Sequence, residues 1–202
     1  MNQIRILSIL VTVLGTLINP SGTLYAQKKA KPDQSKVRKV AAEPFRGFST
    51  VLRFTDSHGE QVGMPVKFGV HRDATYCVDS KLGESFMPPP PPTGIPDIRF
   101  VDPRRGESCM DLGISDDFRP FKSPSQIDTY KVSVQGNSGG YPLTLSWTAL
   151  EKYYKGPVTL TDLFGGRILK VDMKKIRKAS IQEELTSIII IAQKPIIPSN
   201  VK

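Results

Sequence analysis

Apolar residues recur at every second position through most of this chain, in short runs closed by Gly, Pro, Asn or Asp. Phe48, Thr50, Leu52 and Phe54 alternate with Ser49 and Arg53; Val66, Phe68 and Val70 flank Lys67 and Gly69; Ile98 and Phe100 flank Arg99. Further on, Tyr130, Val132 and Val134 alternate with Lys131, Ser133 and Gln135, and Leu143, Leu145 and Trp147 with Thr144 and Ser146. Val158 and Leu160 follow, then Leu169, Val171 and Met173. A strand places alternate side chains on opposite faces, so this spacing buries one side of a sheet and wets the other. About eight such runs with hardly any helical period predict an all-β fold, an antiparallel sandwich. The unbroken run at 187–192 reads as a strand covered on both faces. Residues 173–184 contain helix formers, and a short strand is expected near 179–182.

The alternation starts only after an atypical N-terminus. Arg5 opens an apolar run at 6–18, Asn19, Pro20, Ser21 and Gly22 break any helix, and Leu24-Tyr25-Ala26 offers a cleavable end. This order defines a signal peptide over 1–26 and a secreted product, periplasmic or extracellular. The apolar run falls short of the roughly 20 residues a spanning helix needs, so a membrane is expected as a partner only through the signal peptide before its cleavage. The formal net charge is +9, but residues 27–46 hold seven Lys or Arg against Asp33 and Glu43. A disordered basic linker is therefore expected at 27–44, a β-sandwich domain at 45–195 and a C-terminal tail at 196–202. The folded part is only mildly basic and lacks cations interleaved with exposed aromatics, which argues against nucleic acid as a partner.

Cys77 and Cys109 are the two cysteines of the chain. In an oxidising compartment an even count favours a bridge, and closing a loop of this size contributes about 3–4 kcal/mol. Between them lies an unbroken proline run, 88–92, expected to form a stiff rod about 15 Å long. Such a rod either docks into an aromatic groove or carries the chain from one sheet to the other; the return of strand-like sequence within a few residues favours the crossover.

The order Phe68-Gly69-Val70, Asp73-Ala74-Thr75, Asp79, Leu82-Gly83-Glu84 and the proline run resembles a module of secreted bacterial and archaeal surface proteins. That module carries a DATDGYD-type loop and a proline run, and is often found beside type IX sorting domains. Asp117-Phe118-Arg119-Pro120, Ser138-Gly139-Gly140-Tyr141-Pro142, Leu145-Ser146-Trp147, Leu160-Thr161-Asp162 and Val171-Asp172-Met173 follow in the module's order. The resemblance spans about 45–192 and implies an immunoglobulin-like β-sandwich with no assigned reaction. Tyr76 and Cys77 replace the middle of the loop pattern.

Asp73, Asp79 and Glu84 are spaced to surround a cation, and calcium takes six to eight oxygens. The regular alternation of a calcium loop is missing, and a capped turn around Asp73 and Asp79 explains the same residues. The stretch Gly136-Asn137-Ser138-Gly139-Gly140 looks like the nucleophile sequence of trypsin-like proteases. Its partners would have to be His58 or His71, neither in a recognisable histidine motif, so a hairpin turn is the simpler reading. Cysteine and histidine spacings exclude a zinc set. Asp116-Asp117 reads as a turn, since neighbours on a strand face opposite ways and make a poor acid–base pair. No cofactor is implied apart from calcium. The expected function is a non-catalytic structural or interaction module of the cell envelope or surface, its partner an envelope or extracellular protein or glycan. The alternative is a small secreted hydrolase or glycan-binding accessory protein using the end loops.

Overall fold

The computed structural model describes residues 46–104 and 109–197. The signal peptide at 1–26, the basic linker at 27–44 and most of the 196–202 tail lie outside them. Ten strands form two five-stranded sheets: β1 (Gly47–Thr55), β2 (Val66–His71), β4 (Asp116–Pro120), β6 (Leu143–Trp147) and β9 (Lys178–Ile181) build the first, in the order β4-β2-β1-β6-β9. The second, in the order β3-β5-β10-β7-β8, contains β3 (Asp97–Val101), β5 (Ile127–Gln135), β7 (Val158–Asp162), β8 (Lys170–Asp172) and β10 (Ser187–Gln193). All pairings are antiparallel except β2 with β4, which run parallel. The described residues contain no α-helix, so the fold is all-β.

The two sheets close on one core. From the first come Leu52, Phe54, Phe68 and Leu145, from the second Phe100, Tyr130, Val132, Leu160 and Ile190, all 1 % exposed or less. Phe68 and Tyr130 meet across it with ring centroids 4.9 Å apart, and the Tyr130 hydroxyl donates to Gly69 O at 2.7 Å. Alternation produces this directly: β5 and β6 bury every second residue. Trp147 is buried, and its indole N–H donates to Met173 O at 2.8 Å.

Only the β1–β2 and β7–β8 connections stay within a sheet; every other one crosses the sandwich. The 136–140 turn is therefore not the tip of a hairpin: β5 and β6 face the same core from opposite sheets. The proline run lies between β2 and β3 and carries the chain across, as its stiffness suggests. Asp116-Asp117 opens β4 instead of forming a turn, because Asp116 accepts Lys67 N–H at 2.8 Å and the strand pairs with β2. In β10, Ile188 and Ile190 are buried while Ile189 and Ile191 are half-buried, so that apolar run has one covered face, not two.

Candidate functional site

Three places gather chemistry-bearing side chains. The first is the long β2–β3 connection with the disulfide. Cys77 and Cys109 are bonded, with Cα atoms 5.2 Å apart, within the usual reach of a bridge. Arg104 pins the surroundings: its guanidinium donates to Tyr76 O at 2.8 Å and to Asp102 Oδ2 at 2.6 Å, and lies 3.2 Å from Cys109 Sγ. Arg104, Arg119 and Lys122 all approach the Tyr76 ring, Lys122 Nζ most closely at 4.4 Å from its centroid.

The acidic residues of this connection each serve a different neighbour. Asp73 pairs with Arg46 at 2.7 Å. Asp79 accepts the Thr75 amide at 2.6 Å and the Thr75 hydroxyl at 3.2 Å, a turn closed by its own side chain. Glu84 is buried and accepts Asp79 N–H and Phe118 N–H, both at 2.6 Å, stitching the connection to β4. Burial pushes the Glu84 carboxyl up, against the two amides that pull it down. Asp73, Asp79 and Glu84 are thus brought into one loop but point at different donors. Among the described residues no three His, Cys, Asp or Glu side chains converge as a metal site.

The second place is inside the sandwich. The parallel register sets Asp117 beside Phe68 and Arg119 beside Val70, so both charged side chains share the face of two core residues. They are 1 % and 2 % exposed, and Arg119 Nη2 donates to Asp117 Oδ2 at 2.7 Å. The guanidinium also stacks 5.4 Å from the Tyr130 centroid. Asp128 sits nearby in the charge field of Arg119, its oxygens taken by the Gln126 amide at 2.9 and 2.7 Å. Loss of water pushes the Asp117 carboxyl up to about 7, Arg119 opposing and Glu84 adding to the shift. Burial raises Asp128 as well. The signal for this pair is Asp-x-Arg, which lies within a strand at Asp97-Ile98-Arg99 and Asp117-Phe118-Arg119 and outside one at Asp102-Pro103-Arg104.

The third is a cleft of about 360 Å³ at the opposite end, between the proline crossover, the start of β3 and the 136–140 loop. Pro90, Gly94, Asp97, Gln135, Tyr141 and Glu183 line it. Its polar groups are mostly spent on support. Asp97 holds Arg99 at 2.6 and 2.7 Å, Gln135 Nε2 donates to Pro92 O at 2.9 Å and Ile95 O at 2.8 Å, and the Tyr141 hydroxyl accepts Gly136 N–H at 3.0 Å. Ser138 is exposed on the loop, its Oγ only 2.4 Å from where a side chain on Gly94 would begin. His58 lies in the β1–β2 turn, which docks on the loop through Ser57 N–H to Gly140 O at 2.9 Å. Asp56 there accepts the His58 and Glu60 amides, both at 2.9 Å, and the Asn137 amide at 3.2 Å. His71 is buried near the far end of β2 beside Arg46 and Asp73, and burial lowers its affinity for a proton.

The two sheets and the single core define a β-sandwich protein with a disulfide-tied crossover. Compared with known proteins, the chain matches no family model, no curated protein and no solved structure.

Proposed function

We propose that this chain is a non-catalytic interaction module of the cell envelope or surface, secreted, with an immunoglobulin-like sandwich as its scaffold. The observation that carries this reading is the way the β2–β3 crossover is held. Residues 85–96 contain no charged side chain. Pro88, Pro89, Pro90 and Pro92 are exposed, and so are Phe86 at 59 % and Ile95 at 52 %. Beneath them Arg99, itself 1 % exposed, donates to Pro88 O at 2.7 Å and Leu112 O at 3.1 Å. Gln135 holds Pro92 O and Ile95 O, and Met87 N–H donates to Gly113 O at 2.9 Å. An uncharged ridge fixed from below by a buried cation loses little entropy on binding, which suits recognition by an aromatic-lined protein groove. The buried acids support the same reading: Asp117, Glu84 and Asp128 are engaged with Arg119, main-chain amides and Gln126, at the end away from the cleft.

The polar lining of the cleft favours a second reading, a glycan-binding accessory. The two are separated by affinity capture from native envelope, comparing wild type with the double variant Phe86→Ser/Ile95→Ser. A partner captured by wild type and lost with the variant supports the ridge. Capture unaffected by the variant but abolished by added envelope glycan supports the cleft.

A further inference from the structure

The β7–β8 connection is a second rigid protrusion. Residues 163–169 turn through Gly165 and Gly166, whose φ angles of 75° and 91° suit glycine. The turn is organised by one side chain: the buried Asp162 carboxylate accepts N–H from Phe164 at 2.6 Å, Gly166 at 3.1 Å, Ile168 at 2.6 Å and Leu169 at 2.7 Å. Leu169 turns inward and is 8 % exposed. Leu163, Phe164 and Ile168 turn outward, at 52 %, 63 % and 58 % exposed. Arg167 and Lys170 are exposed beside them and form no ion pair among the described residues. Three large apolar side chains on one rigid tip, with two unpaired cations and no exposed acid in the finger, form an amphipathic arrangement.

We propose that this finger docks on an anionic lipid surface: Leu163, Phe164 and Ile168 enter the interface while Arg167 and Lys170 meet headgroup phosphates. The composition of the turn decides for lipid over protein: three exposed apolar side chains flanked by two exposed cations within eight residues suit the headgroup–acyl boundary of a fluid bilayer, which needs no matching pocket. Charge agrees, because cations flanking exposed apolar residues are attracted to anionic leaflets. The same end also carries Glu183 and Glu184, in the β9–β10 connection, so the cationic character belongs to the finger and not to the whole end. The fixed turn means that docking has little loop to order. This inference rests on the finger alone and stands or falls independently of the proline ridge.

The test uses the full chain carrying Phe164→Trp with vesicles of equal parts phosphatidylcholine and phosphatidylglycerol, brominated on the acyl chains. Trp147 is buried and supplies a constant background. The expected result is quenching of the new indole on anionic vesicles and little on pure phosphatidylcholine. Arg167→Ala/Lys170→Ala should weaken binding roughly 30-fold, at about 1 kcal/mol per cation near the surface. Binding without quenching would mean that another segment, such as the apolar N-terminus or the basic linker, makes the contact, and would overturn the proposal. So would a failure to bind, or a concentration-dependent blue shift without vesicles, which would mean that the finger meets a second copy.

Discussion

Asp117 has been moved from water to the face of Phe68 and Val70, and its ion-pair partner Arg119 does not fully compensate for the lost solvation. The folded chain therefore holds a proton at Asp117 up to about pH 7, while the unfolded chain releases it near pH 4. Between those values the folded state binds more protons, so this carboxyl makes stability fall as pH rises, with the loss complete above about pH 7. Glu84 and Asp128, also raised, act in the same direction. His71, whose pKa is lowered, acts oppositely on acidification. Urea unfolding of wild type and Asp117→Asn at several pH values isolates the term: wild type should lose stability relative to the variant from pH 5 to 8. A constant difference would show that Asp117 is ionised throughout. Trp147 makes a simpler case. Its ring fills the core and its N–H is satisfied, so Trp147→Ala should cost roughly 3–5 kcal/mol in denaturant unfolding, with the m-value unchanged.

At the scale of elements, strands were legible wherever alternation met a single buried face: β1, β5 and β6 follow from their residues, while β2 shows the alternation in sequence but is buried on both faces from Phe68 to His71. What alternation does not contain is the identity of the partner strand. The 136–140 glycine turn fits a hairpin locally, yet the chain uses it to change sheets, because Leu143 and Leu145 pair with β1 and β9 across the core from β5. The buried Asp-x-Arg pairs were missed for a related reason. Charge two residues apart reads as solvated surface until a covering layer is known, and that layer comes from distant segments: the proline crossover over Arg99, β5 and the Tyr76 loop over Arg119. Of the candidate residues, the cysteine pair was legible from its even count and the expectation of export, whereas the apolar β7–β8 finger had no periodic signal. The support of the ridge is testable by itself. Arg99→Met leaves Asp97 without its cation and two carbonyls without a donor, so it should cost about 3–5 kcal/mol, as breaking a buried pair does. Hydrogen exchange should show the loss at Met87 N–H, which lies in the same ridge, before it appears in β5.

For the molecule as a whole, one sandwich presents two stiff projections, and the disulfide fastens the longer one. Residues 72–96 place few side chains in the core, Ala74 and Val78 among them, so the covalent tie supplements weak packing. Cys77→Ser/Cys109→Ser should lower the unfolding free energy by about 3–4 kcal/mol on the chain-entropy account, most of it lost from the crossover. The central claim, that the proline ridge is the face this module offers a protein partner, is tested most directly by site-specific photo-crosslinking in native envelope. A benzophenone side chain replaces Phe86 on the ridge or, as control, the exposed Ser180 of β9. The account predicts a discrete protein adduct from the Phe86 position and none from Ser180. Equal adducts from both positions, or none from Phe86, would contradict it.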